Sequence, residues 1–560
     1  VDRVLVIGRI LVPLLVVLVA LATYPGEFLV SMATLVTPEP SAPAAPRGEL
    51  PWLHVAHPGA GRPFIADDQD RMVILHGAIP ASLVQYGPGD AVAGPIDPAA
   101  YADGRCPTTP SGSPYPPLCQ TDLEQMASLG FNSLRLPISW SVLEPQRGHF
   151  DETYLDRVAQ VLSWARKLRM YVIVDMHQNA FSHYVPPGEQ VKLRYNDGAP
   201  AWATITDGFP SHAYGNPPQR ELNPAVFEAA TNFWYDRAGI QDEYIAAFAH
   251  VVRRFKDDST IAGFGIFNEP WLGWDLSPGF EDLLLFPFYR RVIDAITRAR
   301  DGLPCWSGFF MPAVCGYRDL GIDDDHHLLF VDTGLLREVA DFPTHLGLPI
   351  SSYPNLVLAL HPYTHIYTPD ALLGQHVPNT TYPWGGYDQG WDWAEREARA
   401  MGMALFAEEF GSNPEYDGLI LNSQLLEEEK HHSGFAFWTW TEISGNWGMY
   451  DSSTRCLLGD RELMLARAYP RVTADPSAIF HYDPAVGSFT MRALGRSGDP
   501  ATVVYVPPEV TGDVSSAGAV SLAVTAGAED GSRLAVATPT GGRFTIEIAP
   551  APLRLRGCAA

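Results

Sequence analysis

Two short stretches carry carboxylates where an apolar run gives out. FGIFNEPW, residues 264–271, ends a strand-forming run in Asn268 and Glu269, and AEEFG, residues 407–411, sets Glu408 and Glu409 before Phe410 and Gly411. A carboxylate just past an apolar strand sits where side chains stop packing and begin to meet ligand. Two of them on separate strands suit acid-assisted displacement at an acetal carbon: one protonates the leaving oxygen while the other works from the opposite face. Further polar groups close other apolar runs, namely Arg135, the set Asp175, His177 and Gln178, the pair His361 and Tyr363, and the pair Trp438 and Trp440. Arginine favours the ionised form of a neighbouring carboxyl, and flat rings stack on sugar or lipid faces.

These groups need a frame that gathers strand ends in one place. Between residues 70 and 445, short β-branched runs alternate with segments of helical period. The candidate strands are MVILHGAI, FNSLRLPIS, MYVIVDMH, IAGFGIFNE, HLLFVD, NLVLALHPY, MALFAEEF and FAFWTW. In the segment DETYLDRVAQVLSWARKLR, Leu155, Val158, Val161, Leu162 and Ala165 fall on one helical face, which assigns Asp156, Arg157 and Gln160 to solvent. Eight strands in βα alternation predict an α/β fold, a (β/α)8 TIM barrel over residues 52–470, whose reacting groups lie at the carboxyl ends of the strands. An open doubly wound sheet is the rival, without a Gly-rich phosphate turn after the first strand to support it. The long insertion at residues 179–235 would form a lid or one wall of a cleft. From 471 to 560 the texture changes to short alternating runs such as SFTMRAL, ATVVYVP and RFTIEIAP, as expected for an antiparallel β-sandwich.

The net charge of −26, from 38 basic and 64 acidic residues, repels phosphate backbones and anionic headgroups, which argues against nucleic acid as a partner. Aromatic residues make up 11% of the chain. No CxxC, clustered histidine ligands or GxSxG elbow occurs, so neither a metal, a cofactor nor a serine nucleophile is expected. Arg3 and Arg9 flank the start of an apolar run from Ile10 to Ala22, which reads within residues 1–36 as a signal peptide or, counted from residue 4 to 22, a membrane anchor. Either way the protein is expected to be exported, secreted or anchored on the extracytoplasmic side. Residues 37–51 read as a Pro/Ala-rich linker. Cys106 with Cys119, and Cys305 with Cys315, bracket short loops that disulfides would close. Asn379 begins a formal glycosylation sequon.

NSLRLP, FNEP, AEEFG and FAFWTW, in that order over the barrel region, resemble family 5 of the glycoside hydrolases. YVIVDMHQ, ELNPAVFEAATNFW and ARAYPRVTADPSAIFHYDP resemble more narrowly the endoglycoceramidases and related glycosylceramidases. The resemblance implies a retaining β-glycosidase that cleaves a sugar or oligosaccharide from a ceramide-like lipid; a glycosidase of soluble β-glucans or β-mannans, and a non-catalytic carbohydrate-binding protein, are the alternatives. It implies Glu269 as acid/base, kept protonated by the charge on Glu409, and Asn268 as the partner of the sugar 2-hydroxyl. Glu409 would be the nucleophile, with Glu408 as its rival, since a strand alternates faces and the family places the reacting acid before an aromatic residue and glycine. Arg135 and Tyr363 would serve the nucleophile, His177 and His361 would line the pocket, and Trp438 would be its stacking floor. Two positions depart from the pattern: HGAIP lacks the asparagine that commonly follows the glycine, and Asn179 stands after DMHQ where endoglycoceramidases carry aspartate. A sugar hydroxyl there loses a charged acceptor. The segment WLGWDLSPGFEDLLLFPFY, residues 271–289, would be either an apolar surface for an aglycone or a buried helix.

Overall fold

Eight parallel strands close into a barrel in sequence order: β1 (His76–Ile79), β2 (Ser133–Ser139), β3 (Tyr171–His177), β4 (Ile261–Gly265), β5 (Leu328–Asp332), β6 (Leu356–Leu360), β7 (Ala404–Phe410) and β8 (Gly434–Trp438). This computed structural model describes residues 50–557 except 60, 84–95, 103, 105, 108–115, 186–196, 212–221, 276–278, 300–319, 335–336, 339–340, 342–349, 367–379, 381–385, 442–446, 450–455 and 529–530. Each predicted run supplies one barrel strand. Every residue of β2 and of β3 is buried, because a barrel strand is covered on the inside by its opposite strands and on the outside by helices.

Helix Glu152–Lys167 illustrates the outer layer. The Asp151 side chain caps it by accepting the Tyr154 N–H at 3.1 Å. Leu155, Val158, Val161, Leu162 and Ala165 are buried as their spacing predicts. Arg157 is the exception, fully buried where solvent was expected. Its guanidinium lies 3.7 Å from the centroid of the Tyr101 ring and donates to the Leu118 carbonyl. The segments around residues 101 and 118 cover that face of the helix, which helical spacing alone could not register.

The expected linker ends earlier than its composition suggests. Leu50 and Leu53 pack beneath the barrel with Ile173, Phe330 and Phe406, and the Tyr171 hydroxyl donates to the Pro51 carbonyl at 2.9 Å. The carboxyl-terminal region forms β9 (Tyr469–Thr473), β10 (Ile479–Asp483), β11 (Ser488–Gly495), β12 (Thr502–Val506), β13 (Val514–Ala526) and β14 (Arg533–Ile548), all antiparallel. Three strands from the range assigned to the barrel join this sheet instead: His54–Ala56, Phe64–Ala66 and Met72–Val73, the last pairing with β9. The predicted run MVILHGAI is therefore divided, its first half in the sheet and its second half in the barrel. Gly130 fits the two parts together: its φ is +93°, and a Cβ there would lie 2.3 Å from Cε1 of Tyr505. Its carbonyl accepts from the Tyr469 hydroxyl at 2.9 Å.

The segment 271–289 resolves largely as buried helix. A π-turn at Glu281–Leu285 runs into the helix Phe286–Ile296, and Phe280, Leu284, Leu285, Phe286, Phe288 and Tyr289 are buried, whereas Trp274 is 39% exposed. Cys106 and Cys119 are disulfide-bonded. Cys305, Cys315, Asn379 and the apolar run at residues 4–22 lie outside the described residues. Among the described residues no helix is long and apolar enough to cross a membrane.

Candidate active site

Arg135, in the middle of β2, is fully buried and organises the floor of the site. Its Nη1 donates to Glu409 Oε2 at 2.6 Å and its Nη2 to Asn268 Oδ1 at 2.7 Å. Asp175 Oδ2 lies 3.1 Å from Nη2, and Glu408 Oε1 lies 3.3 Å from Nε. The simple alternation argument separating Glu408 from Glu409 therefore fails, because both reach one guanidinium. The cause is a register shift between Ala407 and Phe410, where three steps along β7 match two along β8. Their partners distinguish them instead. Glu409 Oε1 accepts the Tyr363 hydroxyl at 3.0 Å, while Glu408 is directed toward His361 and Asp332.

Asn268 and Glu269 follow β4 by three and four residues. Asn268 donates from Nδ2 to the Gln178 carbonyl at 2.9 Å, so its amide is oriented at both ends. Glu269 has a φ of +42°, rare for a residue with a side chain. Gln178 stabilises this turn by donating to the carbonyls of Asn268 and Glu269, each at 2.6 Å. The Glu269 N–H donates to Asp332 Oδ2 at 2.8 Å, and its Oε1 lies 3.0 Å from His361 Nδ1. His177 is held through Nδ1 by Asp175 Oδ2 at 2.9 Å, and its ring lies parallel to half-buried Trp438 with centroids 5.9 Å apart. Gly265 makes room for this layer, since a Cβ there would lie 2.5 Å from Asp175 Oδ1.

One oxygen of Glu269 and one of Glu409 lie within 4.8 Å of each other and of a His361 nitrogen. That is the short carboxyl separation of direct nucleophilic attack rather than the ~6.5–9.5 Å that admits a water between sugar and base. The family model described as Cellulase (glycosyl hydrolase family 5) matches residues 106–444. The chain belongs to glycosyl hydrolase family 5. Endoglycoceramidase I of Rhodococcus hoagii is 25% identical over 422 residues, covering 72% of this chain and 74% of that protein. A probable glucan 1,3-beta-glucosidase A of Aspergillus niger is 23% identical over 60% of this chain and 72% of its own. Endo-glycoceramidase II from Rhodococcus sp., solved as its ganglioside GM3 complex, shares the fold at a TM-score of 0.66 with 22% identity, covering 88% of this chain and 100% of that one. This family-5 member is a retaining glycoside hydrolase.

The structure brings Arg135, His177, Asn268, Glu269, His361, Tyr363, Glu409 and Trp438 to the carboxyl-terminal end of the barrel. Trp440 instead is fully buried, donating to Asp122 Oδ1 at 3.1 Å. Asn179 donates to Asp197, a buried carboxylate from the same insertion that its own sequence neighbourhood did not reveal. Two further acids were missed. Asp332 ends β5 and is visible to the same strand-end rule, whereas Glu338 is helical and lies six residues past the end of β5, where that rule does not reach.

Charge explains how so many acids coexist in this family-5 site. Burial works against a charged Arg135, but Asp175, Glu408, Glu409 and Asp332 outweigh it and keep the guanidinium protonated well beyond its usual range. Burial likewise opposes a charged His361, yet Asp332, Glu269, Glu408 and Glu409 hold it protonated well above the ordinary value. Burial, with Glu408 adding, pushes Asp332 well up; burial, with Glu269 adding, does the same to Glu338. Glu408 goes the other way, since Arg135 and His361 overcome its burial. The sets Glu269–His361–Glu409 and Asp332–Glu338–His361 each have ligand-type atoms within 4.8 Å. Both include His361, which faces carboxylates at both nitrogens, and an imidazolium, protonated at both, keeps no lone pair for a metal.

Proposed function

We propose that this enzyme hydrolyses the β-glycosidic bond joining a sugar or oligosaccharide to a ceramide-like lipid. In this reading Glu409, held by Arg135 and Tyr363, attacks the anomeric carbon while Glu269 delivers its proton to the departing lipid oxygen. The carbon–oxygen bond to the lipid breaks as the bond to Glu409 forms. Glu269, now ionised, takes a proton from water, whose oxygen displaces Glu409 and restores both groups. Asn268 bonds the sugar 2-hydroxyl, His177 lines the pocket and Trp438 is its floor. The observation that carries this mechanism is the close approach of two carboxylates with unlike partners, one on an arginine and a tyrosine, the other on a histidine.

The lipid part of the reading is supported by the likeness to endoglycoceramidase I over 72% of the chain. It is also supported by an aromatic group on the segments after β3 and β4: Trp274 lies 4.8 Å from Phe227 and 5.7 Å from Phe209, with Phe209 and Trp274 both substantially exposed. We place the enzyme outside the cytoplasm, where the Cys106–Cys119 disulfide persists and where glycolipid headgroups face. Likeness to glucan glucosidases keeps soluble β-glucan as a second reading. Incubation with ganglioside GM3 in detergent and, separately, with a soluble β-1,3-glucan decides between them by product mass. Free ceramide with an intact oligosaccharide is the expected result; glucose released from glucan, with GM3 untouched, overturns the lipid assignment.

A further inference from the structure

Glu269 is held at two points that converge on one side chain. Its main-chain N–H donates to Asp332 Oδ2 at 2.8 Å. Its side-chain Oε1 lies 3.0 Å from His361 Nδ1, and the other nitrogen of that ring, Nε2, faces Asp332 Oδ1 at 3.5 Å. Both oxygens of Asp332 are thus directed at Glu269, one through the backbone and one through the imidazole. Asp332 is 3% exposed and closes β5, with its own carbonyl accepting the Tyr289 hydroxyl at 2.9 Å, so it is a fixed point.

The backbone of Glu269 needs such an anchor. Its φ of +42° lies in the left-handed region, which a residue with a side chain keeps only where its surroundings hold it there. Gln178 holds the carbonyl side of the turn and Asp332 the N–H side. The imidazole contact then aims the carboxyl: Nδ1 meets Glu269 at 3.0 Å, and Nε2 faces Asp332 Oδ1 at 3.5 Å in an ion-pair contact without a hydrogen bond, so turning the ring gives up both approaches.

We infer that Asp332 is the positioning residue of the general acid, fixing Glu269 in its left-handed turn through the amide and aiming its carboxyl through His361. The inference rests on the reading of Glu269 as acid/base. It separates two kinds of substrate. A leaving group that needs a proton depends on where the Glu269 carboxyl points, whereas one that departs as a stable anion does not.

The test compares kcat/KM of Asp332→Asn and wild type on phenyl β-lactoside and on 2,4-dinitrophenyl β-lactoside. The ratio of the two values does not depend on how much of the variant is folded, and Asp332→Ala supplies the same ratio if the asparagine variant is insoluble. The expected result is a loss of about 30- to 100-fold on the phenyl substrate, with the dinitrophenyl substrate within about threefold of wild type. Equal losses on both substrates, or none on either, overturn the inference. Glu269→Ala, run in parallel, is expected to show the same selectivity more strongly and to form β-lactosyl azide when azide is added. If it shows neither, the acid/base reading and this inference fall together. If it shows both while Asp332→Asn loses activity equally on the two substrates, only the role of Asp332 falls.

Discussion

Adjacent acids on one strand acquire different chemistry from their partners. Glu408 and Glu409 both touch Arg135, but Glu409 takes the Tyr363 hydroxyl and lies within 4.8 Å of Glu269, while Glu408 is directed toward His361 and Asp332. Glu409→Gln is expected to lower kcat by about 10⁴-fold or more, the scale of losing a nucleophile from an assembled group. Mass spectrometry with a 2-fluoro-glycoside should find a covalent sugar on wild type and none on this variant. Glu408→Gln should still form the adduct; its absence there would return the rival assignment. The identity of both acids was legible in AEEFG, and their location at a strand end followed from barrel logic. That both would face inward was not legible, because the register shift arises in the pairing of β7 with β8 and leaves no mark on β7 alone.

Elements set the tolerances within which those residues act. Gly265 at the end of β4 lets Asp175 and Glu408 close around Arg135; a Cβ would stand 2.5 Å from Asp175 Oδ1 and 3.2 Å from Glu408 Oε1. Gly265→Ala is expected to cost about 1–3 kcal/mol in urea unfolding through overpacking, and to reduce kcat by displacing the arginine. Unchanged stability and rate would mean the layer yields freely. At the entrance to β5, buried His327 pairs with Asp324 at 2.7 Å. Burial opposes the charge on each, but the pairing raises His327 above 6.5 and lowers Asp324 below 3.8. The histidine contribution is complete below 6.5 and fades as pH rises through its higher folded value; the aspartate contribution is complete above 3.8 and fades as pH falls through its lower one. Thermal unfolding between about pH 5 and about pH 9 should therefore show a midpoint that declines on the alkaline side, and His327→Gln should flatten that decline. An identical slope in the variant would remove the pair as its cause. Strand runs and helix faces were readable here from period alone; burial of Arg157 and of this ion pair was not, since each depends on a segment distant in sequence.

At the scale of the molecule, barrel and sheet share structure. The chain enters through three strands of the sheet, crosses to β1 at residues 74–75, and returns to the sheet by β9. Arg467, 4% exposed, pairs with Glu429 of the helix Ile420–Lys430, and that same carboxylate accepts the Tyr482 N–H at 3.0 Å and binds His481 of β10. Arg467→Ala should strand a buried carboxylate at about 3–5 kcal/mol, lowering the midpoint of one cooperative transition. Two resolved transitions would mean that the barrel and sheet are independent units.

The sequence by itself determined what depends on local order: eight strands with period and polarity to match, the polar residues that end them, and the type of chemistry paired carboxylates can do. Tertiary structure alone decided which of those ends meet, which glutamate of the doublet addresses the sugar-facing side, and that Asp332 reaches both ends of Glu269. The physical reason is that period and composition are properties of neighbours along the chain. Distances between carboxylates, and the protons they hold, are set by groups hundreds of residues away that only folding brings into contact.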